Sequence, residues 1–469
     1  MNGKLFLSSL ASLSAASAVG VKAAEQQPPN IVFILADDCA YNSLSCYGGQ
    51  NLRTENIDRL ASEGIRFSRA YASTSMCVPF RHELYTGLYP MRNGSVWNHS
   101  ATRPGLKSAP HYLGDLGYRV GLTGKYHVYP SKNFPFEDVP GFEKNCVAQQ
   151  NRYAPEEIIP FLTRDRKQPF CLIVGSTNPH RPWTMGDAGK FDRAALKLPP
   201  AVADTDVVRE DYAHYLAEVE RLDQQVGDVL DILEKEGLAD NTVVMFSSEQ
   251  GWQFLGGKWN CWDLSLHTAL LARWPGHIQP GQVTGAMVQI CDILPTLIDI
   301  AGGNSSKGNF DGKSFLPVLI GKAQSHRDFV FGLHNNVPEG KPYPIRTIRD
   351  ENFRLIMNLE PDRTYIGKFI NGQHKAPWFS SIKKAAEGGD MNAERLAERF
   401  LHRPAEELYR PDQDPFELNN LAANPEYNKE KEKLKSHLLK WMAEQQDPGA
   451  EIDRPSKLEE NRKSFGWRQ

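Results

Sequence analysis

The 469-residue chain lacks several features that would place it in a specialised class of protein. Its formal net charge is only −3, which excludes a general electrostatic attraction to nucleic acid or to an anionic membrane surface. Beyond the N-terminal region no run reaches the roughly 20 apolar residues that cross a membrane, and repeats and low-complexity tracts are absent. What is present, 40% hydrophobic and 24% charged residues, predicts a globular protein with a large core. Any attraction for an anionic ligand must therefore be local.

The N-terminal region has the pattern of a secretory signal peptide, which we assign to residues 1–24. Lys4 precedes a run of apolar and small residues from Leu5 to Val21, and small residues at Ala18 and Ala23 offer cleavage sites. No cysteine precedes Cys39, so a lipoprotein anchor at the cleavage point is not expected. The sequence therefore predicts a periplasmic or secreted protein without a membrane anchor.

Cysteine is scarce, and its number is odd. Because there are seven cysteines, at least one thiol must stay outside any set of intramolecular disulfides. An exported protein meets an oxidising compartment, so both disulfides and buried free thiols are open interpretations for the other six. The leftover cysteine can be idle, metal-bound or chemically employed.

Short apolar runs alternate with segments of helical spacing along the first 300 residues. The runs with the character of buried strands are Asn30–Ala36, Arg119–Thr123, Phe170–Ser176, Thr242–Ser248 and Leu270–Trp274. The longest helical stripe lies between Val207 and Gly237. This alternation predicts a mostly parallel sheet with helices on both faces.

Polar clusters follow the ends of these runs repeatedly. They are Asp37 with Asp38, Lys125 with His127, His180 with Arg181, and Glu249 with Gln250. Because ligands collect beyond the carboxyl ends of parallel strands, we expect these side chains to form one site.

The character of the chain changes after about Gly303. Shorter, turn-rich strands at Tyr343–Arg349 and Phe353–Leu359, followed by a helical pattern, predict a small antiparallel sheet with a packed helix. We therefore assign residues 25–330 to a catalytic domain and residues 331–469 to a smaller C-terminal subdomain and tail. The polar segment from Pro448 onward is expected to lie on the surface or to fray.

Cys77 stands at the predicted start of a helix, with Pro79 suited to the first turn. A helix N-terminus and the nearby Arg81 both favour negative charge there. Taken alone, the spacing C-x-P-x-R fits a packed or disulfide-bonded cysteine as well as a reactive one.

In its wider context this motif resembles that of the type I sulfatases. The motif is followed by Tyr85–Pro90 and preceded by a strand that ends in Asp37-Asp38, and the resemblance extends to the Asp414–Leu421 segment. It implies an alkaline phosphatase-like α/β/α sandwich with a large, mostly parallel sheet and a smaller C-terminal antiparallel sheet with a packed helix. The segments Gly124–Val128 and Asn178–Pro182 are most similar to the heparan N-sulfatase branch.

The resemblance implies two groups that the chain must acquire. In the family, a maturation enzyme oxidises the motif cysteine, here Cys77, to formylglycine, whose hydrate is the nucleophile. The residues corresponding to Asp37, Asp38, Glu249 and Gln250 hold one Ca²⁺ together with the formylglycine oxygen. These side chains are hard oxygen donors, which suit calcium. The chain departs from the family by carrying Glu249-Gln250 in place of the usual Asp followed by Asn or His, so each side chain is one methylene longer.

Three further basic residues take roles from the family pattern. Arg81 is expected to hold the hydrate and the metal-ligand network through its fork of donors. Lys125 and Lys258 correspond to lysines that contact sulfate oxygens. Phe80 is a second departure, since the family more commonly has serine there.

Histidine suits proton transfer because its pKa lies near neutral pH. His127 corresponds to the histidine that positions the hydrate or accepts its proton, and we assign the general-acid role to His180. Further candidates for substrate contact are Arg181, His82 and His334.

The sequence thus predicts an exported, calcium-dependent sulfatase that removes sulfate from a carbohydrate, such as a glycosaminoglycan or an algal polysaccharide. Its partners would be a sulfated sugar or oligosaccharide and the maturation enzyme. One alternative is a phosphatase or phosphodiesterase of the same fold. Another is a sulfated-glycan-binding protein in which Cys77 is never converted.

Overall fold

The computed structural model describes Met1 and residues 28–148, 152–370 and 376–467. Apart from Met1, the predicted signal peptide lies outside these residues. The strands of the large sheet are β1 Asn30–Ala36, β2 Ile65–Tyr71, β3 Arg119–Gly124, β4 Glu137–Val139, β5 Phe170–Gly175, β6 Thr242–Ser248, β7 His267–Arg273, β8 Gln282–Thr284 and β9 Val288–Gln289. The small sheet contains β10 Val330–His334, β11 Ile345–Arg349, β12 Arg354–Asn358 and β13 Glu406–Tyr409.

Helices cover the sheets. They are α1 Glu55–Ser62, α2 Cys77–Thr86, α3 Pro90–Asn93, α4 Ala109–Gly114, α5 Ile159–Thr163, α6 Asp206–Lys235, α7 Asp263–Leu266, α8 Ile293–Ile300, α9 Leu316–Leu319, α10 Pro377–Glu387, α11 Met391–Leu401, α12 Asn428–Glu444 and α13 Pro455–Phe465. Within the described ranges, no helix combines the length and the apolar character needed to span a membrane.

The large sheet has the order β4-β3-β5-β1-β6-β7-β2-β8, with β9 beside β2. Strands β3, β5, β1 and β6 are parallel neighbours, whereas β7 runs antiparallel to β6 and β2. The parallel strands are buried almost throughout, which is why each reads as a continuous apolar run. The predicted mostly parallel sheet is confirmed, and the alternating strand β2 is an addition.

Helix α6 confirms the longest predicted stripe. Thr205 caps its N-terminus, accepting a hydrogen bond from the Val208 amide at 3.2 Å. Its apolar face is buried from Val208 to Leu233, so the helix is held to the domain by side-chain packing.

The small sheet is antiparallel in the order β10-β11-β12-β13, as the sequence predicts. Helix α12 packs on it through the buried side chains Leu434, Leu438 and Trp441. The predicted boundary between residues 330 and 331 falls at the start of β10.

The C-terminal segment is more ordered than its composition indicates. It contains α13, in which Leu458 and Asn461 are buried. The Asn461 amide group donates to the carbonyls of Gly94 and Ala101 at 2.8 and 3.0 Å. Most residues of this segment lie on the surface, as expected, but they do so as a helix that satisfies backbone groups of the main domain.

All seven cysteines are free thiols. Four besides Cys77 are fully buried: Cys39, Cys171, Cys261 and Cys291. For these four the buried-thiol interpretation holds.

Candidate active site

Neighbouring parallel strands bring the predicted polar clusters to one edge of the large sheet. Ala36 pairs with the last residue of β6, so the residues that follow, Asp37 and Glu249, are adjacent. The Glu249 amide donates to the Ala36 carbonyl at 2.9 Å. The Lys125 amide donates to the last carbonyl of β5 at 2.8 Å, which places the residues after β3 in the same group.

Cys77 is the first residue of α2, and its side chain points into this edge. It is fully buried, and Pro79 lies in the first turn as predicted. Its Sγ lies 3.5 Å from Asp37 Oδ1, 3.9 Å from Asp38 Oδ1 and 3.0 Å from Lys258 Nζ. The cysteine is thus surrounded by two carboxylates and an ammonium group.

The electrostatic environment of the Cys77 thiol differs from expectation. Arg81 donates from Nε to Glu249 Oε1 at 2.7 Å and from Nη1 to the Lys125 carbonyl at 2.6 Å, so Glu249 neutralises its charge. Burial and the Glu249 charge raise the pKa of the Cys77 thiol well above its ordinary value, despite the nearby lysines. The expectation that this position favours negative charge is therefore wrong for the unmodified thiol, which stays protonated.

Three buried carboxylates of the site are each paired with a cation. The pairs are Lys125 Nζ with Asp37 at 2.5 Å, Lys258 Nζ with Asp38 at 2.7 Å, and Arg81 Nε with Glu249 at 2.7 Å. Pairing offsets the cost of several kcal/mol of burying each charge. Because each of these acids is matched by a base, a divalent cation bound here would add positive charge to the site.

The donor set fits a calcium ion. Gln250 donates from Nε2 to Asp38 Oδ1 and lies 3.5 Å from Cys77 Sγ, while its Oε1 is buried without a hydrogen-bond partner among the described residues. Burial and the Asp37 charge raise the pKa of Glu249 to about 7, although Arg81 and Lys125 act in the opposite direction. The Gln250 amide lies against the Asp38 and Glu249 carboxylates, and oxygen donors of these kinds are the ligands that Ca²⁺ prefers. The longer side chains Glu249 and Gln250 therefore still reach the site.

His180 lies beside the same carboxylates. Its Nε2 is 3.5 Å from Asp38 Oδ2. Burial lowers its pKa, but Cys146, Asp38 and Asp37 outweigh burial and raise the pKa above the ordinary histidine value. His180 is therefore positioned and charged as a proton donor.

His127 has the opposite character. Burial, together with the positive charge of Lys125, lowers its pKa well below the ordinary value. Its Nδ1 is buried without a hydrogen-bond partner among the described residues, and its Nε2 lies 3.4 Å from His99 Nδ1. The environments of His180 and His127 thus displace their pKa values in opposite directions.

These groups face a cavity of about 490 Å³. The predicted residues that line it are Cys77, His127, His180, Arg181 and Lys258. Sequence reasoning missed the lining residues Asn98, His99, Cys146, Gln253, Trp259, Lys368 and Phe369. Gln253, whose Nε2 donates to Asp38 Oδ2 at 2.5 Å, could have been found from its spacing after Gln250, whereas the others carry no motif.

The structure does not bring two predicted substrate-contact residues, His82 and His334, to this cavity. Both are fully buried, and burial lowers the pKa of each to about 3. His82 Nε2 accepts from the Tyr129 amide at 2.8 Å, and the ring stacks on Phe134. His334 lies 3.3 Å from the Asn336 amide oxygen. They are neutral histidines of the core.

Left-handed backbone conformations cluster around the cavity. Of the six non-glycine residues with positive φ in the described ranges, four lie here: Asp38 at 59°, His99 at 57°, His127 at 49° and Trp259 at 63°. Such conformations cost of order 1–3 kcal/mol each and persist where the surrounding structure enforces them, commonly at functional sites.

The family model described as Sulfatase matches residues 29–303 of the chain. The chain belongs to the sulfatase family. A second model, described as N-sulphoglucosamine sulphohydrolase, C-terminal, matches residues 249–365, which confirms the predicted likeness to the heparan N-sulfatase branch. The protein is accordingly a hydrolase of sulfuric esters or sulfamates.

Individual relatives agree with this assignment. An ulvan-active sulfatase of Formosa agariphila is 33% identical over 431 residues, covering 90% of this sulfatase and 81% of the relative. Human N-sulphoglucosamine sulphohydrolase is 29% identical over 463 residues, which cover 90% of this sulfatase and 91% of the human protein. A solved structure in complex with its substrate D-glucosamine-2-N,6-O-disulfate superposes with a TM-score of 0.73 at 21% identity, covering 91% of this sulfatase and all of that chain. The alkaline phosphatase-like fold that the sequence predicts is thereby confirmed.

Proposed function

We propose that this sulfatase is exported and removes sulfate from a sulfated carbohydrate, with formylglycine at position 77 and one bound calcium ion. The observation that carries the proposal is the cavity that Cys77, His127 and His180 line together, with the pKa of His180 raised and that of His127 lowered. The relatives that act on ulvan or N-sulphoglucosamine, and the neighbour solved with a sulfated glucosamine, support a sugar as the substrate. The signal pattern of residues 1–24 supports export.

The two acquired groups supply the nucleophile and additional positive charge. Formylglycine supplies a hydrated aldehyde at the position of Cys77, and calcium, held by Asp37, Asp38, Glu249 and Gln250, supplies charge for the sulfuryl oxygens. The residues of the chain perform the remaining tasks. Arg81 fixes Glu249 among the ligands, and its Nη2, buried without a partner among the described residues, leaves one donor available.

Lys258 and Lys125 are placed to orient the sulfuryl group. Lys258 Nζ lies 3.0 Å from the Cys77 side chain, so it reaches any group bound there. Each ammonium group is already fixed by an aspartate, so little reorganisation is needed when charge develops on the sulfuryl oxygens.

His127 has a proton-accepting nitrogen available. His99 Nε2 lies 3.5 Å from the Glu339 carboxylate, which favours a proton on that nitrogen and leaves His99 Nδ1 as an acceptor. His127 Nε2 then donates to His99, and His127 Nδ1 carries the free lone pair. We assign to Nδ1 the proton that the nucleophile loses.

His180 supplies a proton to the departing group. An alcohol or amine leaves poorly as an anion, and a protonated imidazole at the cavity wall relieves that charge. Trp259 and Phe369 provide aromatic surface beside it, which suits the apolar face of a sugar ring.

The test compares the matured sulfatase, co-expressed with a formylglycine-generating enzyme, with its Cys77→Ala variant. Sulfate released from D-glucosamine-2-N-sulfate and from ulvan oligosaccharides is measured by ion chromatography. We expect Cys77→Ala to lose about 10⁴-fold or more of kcat, as removal of a nucleophile does, and to keep its circular dichroism spectrum.

Cys171→Ala is the matched control, because Cys171 is equally buried but lies within β5. It should retain sulfate release. Comparable activity in Cys77→Ala would refute the nucleophile. Phosphate release from 4-nitrophenyl phosphate that exceeds sulfate release would favour the phosphatase alternative.

A further inference from the structure

A basic residue outside the sulfuryl-binding group also faces the cavity. Lys258 and Lys368 contact the same indole ring, with their Nζ atoms 5.2 and 5.7 Å from the Trp259 ring centroid. The sum of these distances limits the separation of the two ammonium groups to about 11 Å. Both line the cavity, so Lys368 is within reach of a second substituent on a sugar whose sulfate occupies the site at Lys258.

Lys368 is held in place from behind. Its Nζ lies 3.1 Å from Glu339 Oε2, and the Glu339 side chain is only 5% exposed, whereas that of Lys368 is 28% exposed. Glu339 also accepts from Asn98 Nδ2 at 2.5 Å and lies 3.5 Å from His99 Nε2. A buried carboxylate with these partners fixes the ammonium group at the cavity wall instead of leaving it free in solvent.

Glu339 is charged in this setting. Burial opposes its ionisation, but His99, Lys368 and Asn98 outweigh burial and hold the pKa of Glu339 well below its usual range. An ammonium group has three donors, so Lys368 can satisfy Glu339 and still donate to a ligand in the cavity.

Arg181 adds a second cation to the cavity lining, and its charge acts on the Asp211 carboxylate. Arg181 lines the same cavity and rests over the Trp183 ring at 6.0 Å. No ion pair or hydrogen bond joins its guanidinium to another part of the chain that the structure describes. Lys368 and Arg181 therefore both present a cation to the cavity in addition to Lys258.

We propose that Lys368, positioned by Glu339, is a second anion subsite that binds a negatively charged substituent other than the sulfate being hydrolysed. This inference rests on the proposed function and specifies its substrate: a sugar with a further sulfate or a carboxylate. Lys368 acts as a specificity residue, and Glu339 as a positioning residue.

Binding and turnover are measured on two pairs of sugars. The first pair is D-glucosamine-2-N-sulfate and D-glucosamine-2-N,6-O-disulfate. The second is an N-sulfated glucosamine linked to a uronic acid and its carboxyl-reduced counterpart. Calorimetry gives Kd, and sulfate release gives kcat and KM.

The wild type should prefer the doubly anionic member of at least one pair. Lys368→Met should reduce that preference by about tenfold to a hundredfold, the range expected for a charged hydrogen bond, mainly through Kd and KM. Lys368→Arg should keep most of it. Glu339→Gln should weaken the preference through KM and, because Glu339 also orients His99, should lower kcat on both members of the pair by a similar factor.

Lys322→Met, at an exposed lysine elsewhere on the surface, is the control. It should leave Kd, KM and kcat of all four sugars unchanged. If Lys368→Met loses the preference only in the first pair, the subsite binds a second sulfate. If it loses the preference only in the second pair, the subsite binds a carboxylate. The proposal is overturned if the wild type shows no preference in either pair, or if Lys368→Met affects both members of a pair equally. If no sugar is hydrolysed, the proposed function fails, while the calorimetric comparison still decides the subsite.

Discussion

The role of His180 leads to a prediction about leaving groups. His180→Gln removes the acidic proton but keeps a polar group that can reach Asp38. Because the environment raises the pKa of His180, the wild-type imidazole keeps its proton to a higher pH than an ordinary histidine does. The proton is needed only when the departing oxygen or nitrogen is strongly basic.

The expected loss follows from the protonation state of His180. General acid catalysis contributes typically 10²–10⁴-fold, which corresponds to about 2.7–5.4 kcal/mol at 1.36 kcal/mol per factor of ten. On a sugar sulfate, His180→Gln should lose this whole factor in kcat/KM. On 4-nitrophenyl sulfate, whose phenolate leaves without a proton, the loss should stay below about tenfold.

The assay is kcat/KM on both substrates as a function of pH. The protonated form of His180 is the active one, so wild-type activity on the sugar should fall as pH rises through its raised pKa, above the ordinary value of about 6.5. This alkaline limb should disappear in His180→Gln. His127→Gln is the comparison, because a residue that acts on the nucleophile should slow both substrates alike. Equal losses on the two substrates in His180→Gln would refute the general-acid assignment.

Three other predictions address the backbone, the second cavity cysteine and the metal. In Gly124→Ala a Cβ would lie 2.2 Å from the Gly175 carbonyl at φ 85°, whereas in Gly117→Ala, at φ 88°, nothing lies within 4 Å. Both variants should lose about 1 kcal/mol of folding free energy because of the positive φ. Only Gly124→Ala should lose further stability through the steric clash, and only it should lower kcat/KM, because the clash displaces Lys125. Equal thermal midpoints for the two variants would contradict this prediction. Burial raises the pKa of Cys146, but Lys125 and His180 outweigh burial and lower that pKa to about 6. The Cys146 side chain should therefore be about 90% thiolate at pH 7 and should be the first cysteine that iodoacetamide alkylates. A peptide map in which another cysteine is labelled first would count against this prediction. Chelation should abolish sulfate release, and Ca²⁺ should restore it better than Zn²⁺; activity that is indifferent to chelators would exclude the calcium site.

The sequence predicts the central strands well because burial on both faces leaves an uninterrupted apolar run. β1 and β6 match their predicted bounds, and α6 agrees within two residues at each end. β2 was missed because its pattern is broken by Arg66 and Arg69, whose side chains are only partly buried. The antiparallel direction of β7 depends on tertiary pairing, which no local pattern encodes.

The residues of the site likewise differ in how well the sequence predicts their position. Asp37, Lys125, His180 and Glu249 could be located because each follows a strand end, where the topology alone brings side chains together. Lys368 and Glu339 approach the cavity from the C-terminal part of the chain. Their position depends on how the two sheets pack. Likewise, the neutral thiol of Cys77 follows from burial beside carboxylates, which the motif does not reveal.

The central claim is that position 77 carries the nucleophile as formylglycine. The most direct measurement is the mass spectrum of the tryptic peptide Ala70–Arg81, which contains only this cysteine, in preparations matured to different extents. The account predicts that specific sulfatase activity on a sulfated sugar rises in proportion to the formylglycine fraction and reaches zero when that fraction is zero. Full activity in a preparation whose peptide carries only unmodified cysteine would contradict it.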